Sequence, residues 1–184
     1  MSEAKKGTFE ILIAGFGGQG LLFSGKVLAY AGLLEGRELS WLPSYGPEMR
    51  GGTANCNVIL SDTPVGSPIV ENPNVLMVMN APSLDKYEST VVPGGIIFVD
   101  SSLISREVAR DDVKVIRIPA TQMASDMGLN GLANMILLGA LVKETGCIEE
   151  ATLADALKKV IPARKADLFD ANMKALETGR DYSC

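Results

Sequence analysis

Short apolar runs alternate with stretches of helical periodicity over the first two thirds of the chain, an order that predicts a mostly parallel α/β sheet. Thr8–Ala14 (TFEILIA) predicts a strand and Gln19–Leu34 a helix with apolar residues at helical spacing. Further strands are expected at Leu39–Leu42, Ala54–Leu60, Val75–Asn80, Gly95–Asp100 and Val113–Ile118. Several are apolar at consecutive positions, as strands covered on both faces should be. Between them, short helices are expected at Pro82–Glu88, with Pro82 near its start and Ser83 as cap, and at Leu103–Arg110. From Asn130 the pattern turns wholly helical: Gly131–Glu144 closed by Gly146, Glu150–Val160 stopped by Pro162, and Arg164–Glu177 closed by Gly179. Glu149 and Glu150 at one end of the middle helix and Lys158 and Lys159 at the other suit its dipole.

Two stretches are nearly free of charge. Between Leu39 and Pro82 only Glu48, Arg50, Asp62 and Glu71 are charged, yet six of the chain's nine prolines fall there. Either this stretch packs on the domain's own sheet or another chain covers it. Ile118–Val142 holds Asp126 as its only charge, and its helix is apolar nearly all round, which implies burial on every side, in the core or at a subunit interface. Leu132–Val142, the longest apolar stretch, is too short to span a bilayer, and Met1–Gly7 is charged with no long apolar run behind it. No membrane segment and no export are expected, and the chain is placed in the cytoplasm.

Composition narrows the chemistry. The chain has 184 residues, 47% hydrophobic and 21% charged, the profile of one ordered domain over residues 1–184 with the helices from about 130 packed on it. The net charge of −5 divides nearly evenly between the two halves, so no basic face is offered to nucleic acid. The three cysteines, Cys56, Cys147 and Cys184, lack CxxC spacing and read as reduced thiols rather than a disulfide frame or a cluster ligand set. There is no histidine. Histidine-based triads and His-ligated metal sites are thereby excluded within this chain.

GFGGQG at Gly15–Gly20 follows a strand and opens a helix, the context of a dinucleotide or phosphate turn in a Rossmann-like three-layer sandwich. Gly15 would permit the tight turn, Gly17 would let the backbone approach a phosphate, and Gly20 would allow close helix–strand packing. The amides of Gly18, Gln19, Gly20 and Leu21 would face an anion. A turn with no ligand is the other reading. An NAD site also needs a carboxylate at the end of the second strand, which here ends Trp41-Leu42-Pro43-Ser44. A second constellation, Tyr45, Pro47, Glu48, Met49, Arg50, Gly51 and Gly52, combines an aromatic face, a carboxylate and a guanidinium with an irregular backbone. It can hold a planar or anionic group, or be a local Glu48–Arg50 tie in a long connection. Both loops follow strands and should open at the carboxyl edge of the sheet.

GFGGQG, SYGPEMRGGTAN at Ser44–Asn55, GSP at Gly66–Pro68, the passage Pro93–Ile104 and the NxxxLGAL helix from Asn134 to Leu141 together resemble the gamma subunit of 2-oxoacid:ferredoxin oxidoreductases, from about Thr8 to Thr178. The resemblance implies a domain within a larger enzyme that converts a 2-oxoacid, CoA and oxidised ferredoxin into acyl-CoA, carbon dioxide and reduced ferredoxin. Its partners would be the alpha, beta and ferredoxin-like delta subunits, which would carry thiamine diphosphate, Mg2+ and the iron–sulfur clusters, so that no catalytic residue is expected here and the isolated chain would be inactive. Whether it then dimerises stays open. Met49 and Gly52-Thr53-Ala54-Asn55 look more like the 2-oxoglutarate type than the pyruvate type. Under this reading the Gly17–Gly20 amides and Arg50 line the approach of CoA, or else both loops only shape a subunit contact. A stand-alone NAD(P)-binding oxidoreductase and a non-catalytic nucleotide-binding module are the alternatives. Cys56 reads as a small core residue, and Asp100 as a helix cap or an edge ligand.

Overall fold

The computed structural model describes residues 7–44 and 53–183. Six strands form one sheet: β1 (Phe9–Phe16), β2 (Glu38–Ser44), β3 (Thr53–Ser61), β4 (Val75–Val78), β5 (Ile96–Asp100) and β6 (Lys114–Ile118), in the order β2-β3-β1-β4-β5-β6. β1 pairs in parallel with β4, β4 with β5 and β5 with β6. β3 runs antiparallel to both β1 and β2. Five strands therefore point one way and β3 alone points back, so the sheet is mostly parallel, as expected. All four residues of β4 are buried because both sheet faces are covered at its centre.

The two coverings are unequal. On one face α1 (Leu21–Leu34) and α4 (Ala133–Thr145) lie against the sheet, flanked by α3 (Ala120–Asp126), α5 (Glu150–Val160) and α6 (Leu168–Asp181). Ile11, Ile13, Met77 and Phe98 of the sheet join this larger core. On the other face a smaller core of Leu12, Ala14, Leu76, Val78, Ile97 and Val99 is closed by Leu84 of α2 (Ala81–Tyr87), Val91 and Ile104. Of the two readings for the uncharged helix, the core reading holds: Met135–Leu138 and Leu141 of α4 are fully buried within the molecule. The other uncharged stretch divides. β2 is an edge strand of the sheet, while residues 62–69 that follow β3 lie mostly exposed.

Several elements differ from the sequence expectation, each for a local reason. Leu103–Arg110 is not a helix. Its carbonyls at Ile104 and Arg106 accept hydrogen bonds from the Arg117 guanidinium, at 2.7 and 2.8 Å, and the Ala109 amide donates to the buried Glu88 carboxylate. These partners replace the i to i−4 bonds that a helix would need. The cap of α2 is Asn80, whose Oδ1 accepts from the Ser83 amide at 2.8 Å; Ser83 is the residue capped, and β4 ends at Val78 to free Asn80 for this task. α3 had no distinct periodic signal. The last helix starts at Leu168 rather than Arg164, because Ala163–Lys165 forms a short 3-10 turn, and it runs through Gly179 to Asp181. Gly179 does not stop the helix; it admits α4, since a Cβ there would stand 1.7 Å from the Ile136 carbonyl oxygen.

Candidate functional site

At the carboxyl end of β1 the chain turns through Gly15–Gly20 into α1. Gly18 and Gly20 have φ of 94° and 76°, a left-handed backbone that favours glycine. Gly20 is the N-cap position of α1, and its carbonyl accepts a hydrogen bond from Asn134 Nδ2 of α4 at 3.0 Å. The same Nδ2 reaches Ser24 Oγ at 2.9 Å. A Cβ on Gly20 would stand 2.6 Å from Asn134 Nδ2, so this glycine serves the contact with α4. The close helix–strand approach expected of Gly20 is made instead by Gly25, where a Cβ would meet Cys56 Sγ of β3 at 2.5 Å.

Gln19 turns its side chain into the loop. Its Oε1 accepts from the Phe16 amide at 2.5 Å and its Nε2 donates to the Met79 carbonyl, beyond the end of β4, at 3.0 Å. Beside the turn lies a cleft of about 340 Å³ at the carboxyl ends of the parallel strands. Gly18 and Gln19 from the turn, Met79 after β4, Leu103 after β5, Thr121 of α3 and Gly131 before α4 line it. Of the residues expected at the site, the cleft contains Gly18 and Gln19; Gly15 lies buried beneath the turn. Met79, Leu103, Thr121 and Gly131 carried no motif. Only the convergence of strand ends in an α/β sheet could have pointed to them.

The expected second constellation, Tyr45, Pro47, Glu48, Met49, Arg50, Gly51 and Gly52, lies outside the described residues. The strands flanking it are described: Ser44 pairs with Asn55, and Thr53 pairs with Phe16 at the start of the glycine turn. The ends of β1 and β2 therefore reach the same edge of the sheet, as expected of the two loops that follow them.

Among the described residues of the cleft lining there is no carboxylate, amine or thiol. Asp100, at the end of β5, is fully buried, and its carboxylate is taken up by the Ser102 amide at 3.1 Å and by the Thr121 amide and hydroxyl at 3.3 and 2.5 Å. It is a cap, and the helix it caps is α3. Cys56 and Cys147 are buried on separate elements, and burial pushes their thiols up to about 12 and about 11, against weaker lowering by neighbouring hydrogen bonds. Neither is poised as a thiolate, so the reading of Cys56 as a core residue stands. Among the described residues no group of three or more His, Cys, Asp or Glu is placed to hold a metal ion. What the geometry offers is a binding cleft with the hydroxyls of Thr121 and Ser125, the carboxamide residues Gln19 and Asn130, and an apolar wall.

Comparisons with known proteins agree on one family. The model for pyruvate ferredoxin/flavodoxin oxidoreductase matches residues 10–182. The chain is 41% identical over 175 residues to the ketoisovalerate oxidoreductase subunit VorA of Methanothermobacter thermautotrophicus, covering 94% of this chain but 36% of that protein, so it spans about a third of that relative's length. It is 35% identical over 188 residues to the 2-oxoglutarate synthase subunit KorC of the same organism, covering 98% of this chain and 96% of that one. Among solved structures, the gamma subunit of a keto/oxoacid ferredoxin oxidoreductase from Geobacter sulfurreducens superposes with a TM-score of 0.81 at 28% identity, over 94% and 96% of the two chains. The 2-oxoglutarate:ferredoxin oxidoreductase of Magnetococcus marinus, solved with 2-oxoglutarate, coenzyme A and succinyl-CoA, gives 0.84 at 25% identity over 96% of this chain and 31% of its own.

Proposed function

The chain belongs to the pyruvate ferredoxin/flavodoxin oxidoreductase family, and from that premise we propose that it works as the gamma subunit of a CoA-acylating 2-oxoacid:ferredoxin oxidoreductase. The observation that carries this reading is the cleft at the carboxyl ends of the strands, whose lining offers hydroxyls and carboxamides and, among the described residues, no carboxylate, amine or thiol. A domain so built holds a substrate or a neighbouring chain and leaves the oxidation to others. In this reading thiamine diphosphate with Mg2+ and the iron–sulfur clusters sit on the alpha, beta and ferredoxin-like delta subunits, and ferredoxin takes the electrons in the cytoplasm. The described cysteines do not fit a cluster, being single and buried, so no electron-transfer step is placed on this chain.

The oxoacid we assign is 2-oxoglutarate. Support comes from the Met49 and Gly52–Asn55 pattern and from the end-to-end correspondence with KorC, a subunit of the same length class. The higher identity to VorA favours ketoisovalerate as a second reading. Anaerobic affinity purification of the chain from its native cell, with mass spectrometry of what accompanies it, tests the assembly. Copurification of thiamine-diphosphate and ferredoxin-like subunits is expected, followed by dye reduction that is fastest with 2-oxoglutarate. A homogeneous preparation of this chain alone would overturn the subunit reading, and faster turnover of ketoisovalerate would replace the substrate.

The role within the complex that we assign is to line the approach of CoA, with the glycine turn and Arg50 as donors to its phosphates. Arg50→Ala should raise the KM for CoA about tenfold, the loss of roughly one charge-assisted hydrogen bond, while CoA-independent decarboxylation persists. If instead the variant loses its copurifying subunits, the loop is an assembly contact.

A further inference from the structure

The expectation for Gln19 concerns its backbone amide; its side chain has a separate place in the turn. The carboxamide points into the turn, not out of it, and satisfies one donor and one acceptor of the surrounding backbone: Phe16 N at 2.5 Å and Met79 O at 3.0 Å. Those two partners end β1 and follow β4, strands that are adjacent in the sheet but distant in sequence. The Gln19 amide closes the same turn by donating to the Phe16 carbonyl at 3.3 Å. A Cβ at Gly15 would stand 2.5 Å from Gln19 Oε1, so the space beneath the turn is already filled by the carboxamide. On the far side, the Gly20 carbonyl is held by Asn134.

We infer that Gln19 is a positioning residue: its carboxamide fills the glycine turn and fixes the wall of the cleft that Gly18, Gln19 and Met79 form, instead of contacting the ligand itself. The physical ground is that both hydrogen-bonding ends of one side chain are spent on backbone groups, the part-buried Met79 carbonyl and the Phe16 amide, which ties the turn to the end of β4. A Cβ on Gly18 would meet nothing within 4 Å, so the outer, cleft side of the turn stays open to a ligand while its underside is filled. This inference rests, for its consequence on CoA, on the proposed role of the cleft; the positioning itself does not.

The test uses the assembled complex carrying wild-type chain, Gln19→Leu, which keeps the bulk and loses both bonds, or Gln19→Glu, which keeps an acceptor for Phe16 and loses the donor to Met79. Hydrogen exchange of the peptide spanning residues 14–20 and the KM for CoA are measured on each. Gln19→Leu should speed exchange at Phe16 and raise the KM for CoA, each about tenfold, the effect of losing roughly one net hydrogen bond, with the change in KM rather than kcat. Gln19→Glu should retain most of the Phe16 protection. Unchanged exchange in Gln19→Leu overturns the positioning role, and if the KM rises all the same, Gln19 contacts the ligand directly. Faster exchange with an unchanged KM upholds the positioning role and removes CoA from this cleft.

Discussion

Gly139 and Gly179 let two backbones touch. A Cβ on Gly139 of α4 would stand 2.0 Å from the Leu176 carbonyl oxygen, and one on Gly179 of α6 would stand 1.7 Å from that of Ile136. The obstacle in both cases is main chain, which cannot rotate aside, so the helices must separate. Gly179→Ala should destabilise the fold by about 3 kcal/mol, at the upper end of overpacking costs, seen as a lower denaturant midpoint with an intact secondary-structure spectrum. Glycine at these positions reads in the sequence as a helix stop or a weak point, and only the crossing of α4 over α6 reveals it as a contact. Cys56 behaves oppositely, since its residue type and strand position already suggested a small core side chain, and Cys147 is buried with it in the same core. Both described thiols stay protonated in the fold, whereas unfolded they ionise near 9.0. Their burial therefore stabilises fully below that pH, and the contribution falls as pH rises from there towards 11 to 12. In a Cys184→Ser background, the native protein should resist alkylation at pH 8 and react at two sites once unfolded.

At the level of elements, the crossover from β5 to β6 is the largest departure from the expected secondary structure. Residues 101–113 show apolar and polar positions compatible with a short helix, but Arg117 reaches back from β6 to two of their carbonyls, and Arg106 binds Asp85 and Glu88 of the preceding crossover, both at 2.7 Å. Long-range side chains thus outbid local periodicity, which no window of sequence can register. Arg117→Met should cost about 2 kcal/mol, the scale of hydrogen bonds from a charged donor, and should expose this segment to limited proteolysis before the rest of the chain. The cap of α2 belongs to the same scale. Asn80→Ala removes the bond to the Ser83 amide and should lower stability by about 1 kcal/mol.

For the whole molecule, the parallel strands β1, β4, β5 and β6 deliver four chain segments to one edge, and the cleft forms where they arrive. The second strand ends Trp41-Leu42-Pro43-Ser44, without a carboxylate for ribose hydroxyls. Titration of the purified chain with NADH should therefore show no saturable micromolar binding by fluorescence; such binding would favour the stand-alone oxidoreductase over a subunit of a larger enzyme.

Legible in the chain alone were the α/β class, all six strands to within two residues at each end, the turn after β1 and the family. These rest on hydrophobic period and on a contiguous motif, both local properties of a chain. The reversal of β3, the paired glycines of α4 and α6, the three-way hold of Asp100 and the inward carboxamide of Gln19 were decided only by the tertiary structure. Each depends on groups brought together from distant positions, as Gln19 and Met79 are across 60 residues, and a hydrogen bond or a backbone contact of that kind leaves no period in the sequence.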